Sequence, residues 1–364
     1  MKCLLFLFTL AIAALSTIAS GRAEEPAEFV QPTPEHPLKV KVVVLTMFQI
    51  GADNGDTPGE YRLWVERRKL DHIIPLPTAY HDVRVDDKGV IATVTGMGAA
   101  RAAVSVTALG LDPRFDFSQA YWVIAGIAGV NPKSASIGSA VWADYVLNGE
   151  IAREIDAREI PKDWPTGLIP LRASKPFPKP RPEADGEVYA LNEGLVNWAY
   201  QLTKDVLLQD TDTMKKSRAR YKGFPAALAG PKVLKGATLS NSTFWHGRLL
   251  NQWASKWVKY WTDGKGAYFT TAMEDAGTLQ ALTNLSKTGQ VDLKRVLVLR
   301  TASNFDLQPP GITAAEDLAQ GRRAGFSAFI PALETAFDVG NRVVSEIVDN
   351  WDKYAEQIPT NEAF

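Results

Sequence analysis

The sequence contains one cysteine, Cys3, in 364 residues. It sits in a leader-like segment. A chain that has lost that segment has no disulfide, no thiolate nucleophile and no cysteine metal ligand. Histidine is also scarce. His36, His72, His81 and His246 are scattered without metal-ligand spacing, so no metal site is expected. Neither sign of charge dominates: 40 Lys and Arg face 41 Asp and Glu. That balance gives no electrostatic footprint for nucleic acid. After the N-terminus no run of 18 apolar residues occurs, which leaves nothing to insert stably in a bilayer or to build a helical channel. No internal repeat is present. What is abundant is apolar: 46% of the residues are hydrophobic, enough for a sizeable core in a chain of this length.

Residues 1–23 differ from the rest. Lys2 is followed by an almost unbroken apolar run from Cys3 to Ile18, then by small residues at Ala19, Ser20, Gly21 and Ala23. This pattern predicts a cleaved secretory signal peptide and a periplasmic or secreted protein. The alternative, a membrane anchor, needs a longer run to cross the ~30 Å hydrocarbon layer. Residues 24–37, with Pro26, Pro32, Pro34 and Pro37, read as a Pro/Glu-rich linker. One domain is expected over 38–357, with an enlarged insertion at 148–235.

Within that domain, Val40–Leu45 is β-branched and nearly continuous, as in a strand buried on both faces. A loop rich in turn formers follows, Gly51 to Glu60, and then a helix to Arg68. Val90–Thr95 predicts a strand ending in Thr95-Gly96-Met97-Gly98, followed by a helix over Ala99–Leu109. Ala120–Ala125 predicts a third strand, with Gly126-Ile127-Ala128-Gly129 as a turn after it. Ser139–Leu147 predicts a fourth strand. Helical periodicity marks Leu191–Leu208 and Arg248–Tyr260; Ala267–Thr271 reads as a strand, Glu274–Leu285 as a helix, Val296–Leu299 as a last core strand and Phe329–Trp351 as a closing helix. Strands alternating with helices predict an α/β sheet that is at least partly parallel.

Three segments, in order, carry a resemblance. The first is Thr95-Gly96-Met97-Gly98, then Gly126-Ile127-Ala128-Gly129-Val130-Asn131-Pro132 and Ile137-Gly138-Ser139-Ala140-Val141. The second is Ala272-Met273-Glu274-Asp275-Ala276-Gly277. The third is Val298-Leu299-Arg300-Thr301-Ala302-Ser303-Asn304. Together they resemble the nucleoside phosphorylase superfamily, which includes the methylthioadenosine nucleosidases. Ser139 and Asn304 stand where that superfamily usually has Asp. A weaker segment, Ser240-Asn241-Ser242-Thr243-Phe244, is similar to a stretch whose Phe packs on the base. The long middle segment, the leader and the tryptophans at 245, 253, 257 and 261 look like the purine nucleoside permease family.

The resemblance implies a nucleoside phosphorylase-like, three-layer αβα fold around a central mixed, partly barrel-like sheet. It also implies a purine nucleoside as ligand, no resident cofactor, and phosphate as the one co-substrate left open. A homo-oligomer and a transport partner are further implications. Met273 and Glu274 would hold the ribose; otherwise Glu274 is an acid favoured by a helix N-terminus. Gly96, Gly126, Ala128 and Gly129, with Thr95, would bring free backbone N–H groups to the ligand, unless they only make tight turns.

Asn304 can donate to and accept from the purine edge but cannot act as a strong acid, which leaves room for 6-oxopurines; Asp306 is an alternative acid. The other reading of Asn304 is an Asx turn. Phe244 would stack on the base, and Trp245 and His246 would line the pocket. Arg300 would pair with a carboxylate in the site. The stripe Trp253, Trp257, Trp261 reads as a packing face. The Gly51–Glu60 loop lies where phosphorylases bind phosphate, yet it carries Asp53, Asp56 and Glu60, which repel an anion and suit activation of water. Arg101 is the best placed cation for phosphate. Hydrolysis of the N-glycosidic bond, or binding without chemistry, is therefore expected over phosphorolysis.

Overall fold

The computed structural model describes residues 29–55, 58–324 and 326–360. The expected signal peptide and Asp56 lie outside these residues. From Pro32 onward the chain forms one compact unit, which includes the 148–235 segment.

Regular structure begins with β1 (Leu38–Lys39) and β2 (Val42–Thr46). Every residue of β2 is buried, as a continuous run of Val and Leu requires. Helix α1 (Arg62–Arg68) leads to a hairpin, β3 (His72–Ile74) and β4 (Val83–Val85), then to β5 (Val90–Val94) and α2 (Ala99–Gly110). After β6 (Phe115–Asp116) comes β7 (Tyr121–Val130), the long central strand. The expected fourth strand is broken in two, β8 (Ala140–Trp142) and β9 (Tyr145–Asn148).

The 148–235 segment contributes a separate antiparallel pair, β10 (Ala152–Glu154) with β11 (Leu168–Pro170). It also supplies β12 (Val188–Ala190), α3 (Glu193–Thr203), α4 (Asp212–Arg218), α5 (Pro225–Leu228) and β13 (Val233–Lys235). Asn192 caps α3 by accepting from the N–H groups of Gly194 and Leu195, which is why that helix starts after it. Then follow β14 (Ala237–Ser240), α6 (Arg248–Trp261), β15 (Tyr268–Ala272), α7 (Asp275–Ser286), β16 (Val296–Phe305), α8 (Ala314–Ala324), α9 (Phe329–Asp349) and α10 (Trp351–Tyr354).

The main sheet runs β12-β9-β14-β15-β7-β2-β5-β4-β3, with β16, β8 and β13 branching from β7. It is mixed: β2 pairs parallel with β5 and β7, whereas β15 runs antiparallel to β7. Among the described residues it does not close into a barrel. Alternate residues of the strands serve opposite faces. Val42, Val44, Val123 and Leu299 join the core under α9, where Trp64 of α1 meets Phe337 edge to face at 5.1 Å. Val43, Leu45, Ile124 and Val298 are equally buried, so the second face is covered too. Helices α2 and α7 pack so closely that a Cβ on Gly277 would lie 2.0 Å from the carbonyl oxygen of Ala99. Trp253, Trp257 and Trp261 are buried in a separate cluster with Leu239 and Tyr268. No helix among the described residues is long and apolar enough to cross a membrane.

Two expectations need correction. Gly126-Ile127-Ala128-Gly129 is not a turn after a strand but part of β7, and Arg300 to Asn304 lies within β16. Both strands are ten residues long because they pair with each other along almost their whole length. Glycine and Asn are poor strand formers alone, and the neighbouring strand overrides that preference.

Candidate functional site

Strand β7 has three strand partners and only two edges. β16 runs along one edge from Trp122 to Val130. On the other edge β2 stops at Ile124 and β15 begins at Gly129. The intervening stretch, Ala125 to Ala128, has no strand there, and buried backbone groups need partners. Side chains supply them. The N–H of Ile127 donates to Glu60 Oε1 at 2.6 Å, and its carbonyl accepts from Arg300 Nη1 at 3.3 Å. Gly126 must lack a side chain: a Cβ there would lie 2.6 Å from Arg300 Nη1 and 2.7 Å from both Glu60 Oε1 and Met47 Sδ.

This break in the sheet holds a buried cluster of charge. Arg300 is 1% exposed. Its Nε donates to Asp275 at 3.0 Å, and its Nη2 to Asp275 Oδ1 at 2.5 Å and to Glu274 Oε2 at 3.3 Å. Glu274 Oε1 accepts the N–H of Gly98 at 3.1 Å, and Oε2 that of Met273 at 3.2 Å. The carboxylate thus sits at the N-terminus of α2, where the helix dipole favours it. Ser242 Oγ accepts the next N–H, from Ala99, and Ser240 Oγ that of Ala276 in α7. The glycine turn at 96–98 frees an N–H as expected, but a protein carboxylate takes it.

Glu60 completes the cluster, with its Oε2 accepting the N–H of Met47 at 2.7 Å. Three acids surround one arginine, and burial penalises each charge. Burial pushes Glu60 up to about 7, with Arg300 opposing the shift and Glu274 adding to it. Burial also raises Glu274, again opposed by Arg300.

Next to the cluster lies a narrow cleft of about 20 Å³, bordered by Gly129, Asn241, Phe244, Trp245, Met273 and Asn304, and of these Asn304 and Phe244 also line an adjoining cavity of about 390 Å³. Met273 and Asn304, 31 positions apart in the sequence, therefore face one space. Asn304 has a fixed orientation. The Ser303 hydroxyl donates to its Oδ1 at 2.9 Å, and its Nδ2 donates to the Phe305 carbonyl at 3.1 Å. One N–H and one oxygen lone pair of the amide remain free. Phe244 is half exposed, with its ring stacked on Phe326 at 6.4 Å and 16°.

Asp306 also borders the cleft but is 1% exposed. Its carboxylate accepts from Asn251 Nδ2 at 3.0 and 3.2 Å and from the Tyr268 hydroxyl. Burial pushes it up to about 7 despite the two donors. These bonds tie β16 to α6 and β15.

Other sequence candidates lie apart from the cluster. Gly51 is in the exposed loop after β2. Asp53 pairs with Arg84 at 2.7 Å and His81 at 3.0 Å. Thr95 is buried, and its hydroxyl bonds the carbonyls of Thr46 and Gly96. A Cβ on Gly96 would lie 2.8 Å from the Tyr80 ring. Arg101 is exposed, with its guanidinium over that same ring at 5.6 Å. His246 borders a neighbouring cavity, its Nε2 3.1 Å from Asp317 Oδ2.

Several participants had no role in the sequence reading. Asp275 adjoins Glu274, and the search for a carboxylate partner of Arg300 was the available signal for it. Met47, Ser303, Asn251 and Phe326 gave none, because each acts through a contact distant in the chain or through its own backbone.

The model of the family described as purine nucleoside permease (NUP) matches residues 39–359. A purine nucleoside permease of Candida albicans is 32% identical over 325 residues, covering 87% of this chain and 77% of that protein. A probable purine nucleoside permease of Schizosaccharomyces pombe is 28% identical, covering 86% and 90%. Among solved structures, a 5'-methylthioadenosine/S-adenosylhomocysteine nucleosidase of Helicobacter pylori superposes with a TM-score of 0.51 at 15% identity, over 85% of this chain and 99% of that one. The futalosine hydrolase of the same organism gives 0.50 at 16% identity, over 84% and 98%. These structures share the fold, which is that of the nucleoside phosphorylases and nucleosidases. With most of its length matched, the chain belongs to the purine nucleoside permease family.

Proposed function

We propose that this protein binds a 6-aminopurine nucleoside against Asn304 and Phe244, which the narrow cleft shares with the adjoining cavity of about 390 Å³, and hydrolyses its N-glycosidic bond. The observation that carries this reading is the fixed amide of Asn304, with one donor and one acceptor free beside the cleft. An N7 acceptor and a 6-amino donor match that pair, as Asn matches adenine in other settings. A 6-oxopurine presents two acceptors and matches only one. The orientation of the amide thus narrows the wider expectation drawn from the side chain alone.

In this reading Glu274 accepts the ribose hydroxyls and Phe244 stacks on the base. Water attacks C1', its proton passes to Glu60, and the C1'–N9 bond breaks with the electron pair left on the purine. The Asn304 N–H at N7 stabilises the departing base, and solvent supplies the proton that completes its release. Glu60 suits the base role because burial places its titration near neutrality. Hydrolysis is favoured over phosphorolysis because Arg300, the cation of the buried cluster, already holds Asp275 and Glu274, and Asp53 occupies Arg84. The leader-like residues 1–23 support export, which N-terminal sequencing of the mature protein would test.

A second reading has one observation in its favour. Both oxygens of Glu274 are already engaged by Gly98, Met273 and Arg300. A site so braced suits a protein that binds a nucleoside without turnover and passes it to a transport partner. Calorimetry with adenosine and inosine, followed by chromatography of products with and without phosphate, separates the readings. Free adenine without phosphate supports hydrolysis; binding with no base released supports the carrier; no binding of either nucleoside overturns both.

A further inference from the structure

A groove of about 660 Å³ lies between residues 177–181, inside the 148–235 segment, and the second half of α6 with the turn after it. Cavities that take small ligands span roughly 300–1,000 Å³. The groove shares no residue with the cleft or with the cavity beside Asn304. Phe177, Pro180 and Tyr260 give it an apolar surface, the two rings meeting edge to face at 5.5 Å. The Tyr260 hydroxyl donates to the Pro178 carbonyl at 3.2 Å and fastens the segment to the helix. Four cations line the same groove, Lys179, Arg181, Lys256 and Lys259, against one acid, Asp263. Arg181 is committed: it donates to Asp263 at 2.9 and 3.3 Å and lies over the Trp261 ring at 5.3 Å. Lys179, Lys256 and Lys259 are exposed and form no ion pair among the described residues.

We infer that this groove binds a phosphate monoester carried on an apolar or aromatic body. Over the whole chain 40 basic residues nearly cancel 41 acidic ones, yet here three ammonium groups have no acid to offset them. Lys256 and Lys259 are three apart on α6 and so neighbours on one helix face, where each raises the cost of the other's charge until an anion relieves it. Lysine is a point charge with three rotatable donors and binds phosphate well, whereas the planar fork of arginine is what matches a carboxylate. A phosphate monoester at neutral pH carries about two negative charges and three acceptor oxygens, which three ammonium groups can meet; a carboxylate offers one charge and two oxygens. The lysines surround a concavity, which favours a small anion over an extended acidic polypeptide. The body of the ester would cover Phe177, Pro180 and Tyr260, all of which solvent still reaches, and remove apolar surface from water.

The test is calorimetry on the full chain at about 50 mM salt, where screening of surface charge is modest. It compares phenyl phosphate with benzoate, with inorganic phosphate and with hexaglutamate. Phenyl phosphate is expected to bind about tenfold more tightly than benzoate or inorganic phosphate. The double variant Lys256→Gln, Lys259→Gln should weaken it by about tenfold or more. The melting temperature of that variant should not change, because both side chains are exposed and unpaired. Saturating adenosine should leave phenyl phosphate bound, since the groove is separate from the proposed nucleoside site. Phenyl phosphate that fails to bind at about 10 mM, or that binds the variant as well as the wild type, overturns the inference. So does benzoate or inorganic phosphate binding equally well, or displacement by adenosine. Hexaglutamate binding more tightly than phenyl phosphate also overturns it and makes the groove a docking site for an acidic protein segment. None of these results bears on the proposed hydrolysis.

Discussion

Arg300 reaches from β16 to Glu274 at 3.3 Å and also holds Asp275, so one buried cation joins β16 to the start of α7. The same guanidinium accounts for the glycine at 126, whose missing Cβ leaves it room.

Replacing Arg300 with Met leaves Glu60, Glu274 and Asp275 with no countercharge. The expected loss is about 3–5 kcal/mol of folding free energy, as for other broken buried pairs. Urea denaturation measures it. Arg300→Lys keeps the charge but not the forked geometry and should fall between the two. A Met variant as stable as the wild type would refute this account of the cluster.

Glu60 and Asp306 are each pushed up to about 7 by burial, from ordinary values of 4.5 and 3.8. Between those values and about 7 the folded chain holds protons that the unfolded chain has released. Their contribution to stability is therefore greatest below the ordinary values and is lost as pH rises to about 7. Urea melts at about pH 5 and about pH 8 should show the decline, and Glu60→Gln should reduce it. If Glu60 is the base in hydrolysis, turnover rises with pH through about 7, opposite in direction to stability.

Glu274→Ala removes the group assigned to the sugar. Affinity for adenosine should fall by roughly 10- to 100-fold, the scale of one or two charge-assisted hydrogen bonds. Affinity for free adenine, which has no ribose, should stay within about twofold. Competition calorimetry compares the two. Equal losses for nucleoside and base would remove the ribose assignment.

Asn304→Asp keeps the shape and exchanges the donor for a second acceptor. At neutral pH the ionised side chain faces N7, itself an acceptor, so adenosine binding should weaken by about tenfold or more. Lowering the pH to protonate the carboxyl should restore it. Asn304→Ala should weaken binding at every pH, and a variant that binds normally would show that the amide does not touch the purine.

Gly126→Ala introduces a methyl group within 2.7 Å of Glu60, Arg300 and Met47. Overpacking of this kind costs about 1–3 kcal/mol. A crystal structure of the variant should show the Glu60 and Arg300 side chains displaced, and turnover should fall further than stability does. An undisturbed Glu60 would mean that the site has slack it does not show.

The alternation of strands with helices, the buried run at Val42–Leu45, the amphipathic helices at 248–261 and 329–349 and the order of the site motifs were all legible in the sequence, because they rest on local periodicity and on residue types. The resemblance of those motifs to a known superfamily is what named Glu274, Arg300 and Asn304 as candidates for one site. Where β7 ends was not legible: nothing near Gly126 states that β16 will pair with it to Val130. The gap between β2 and β15, which draws Glu60 and Arg300 onto an unpaired stretch of backbone, exists only once three distant strands meet. The amide of Asn304 has two free ends in the sequence and acquires a direction only when Ser303 and the Phe305 carbonyl fix it. Sequence determines which groups can donate, accept or ionise. Tertiary packing decides which of those capacities are used up internally and which are left facing a ligand, because burial makes every unmatched polar group costly.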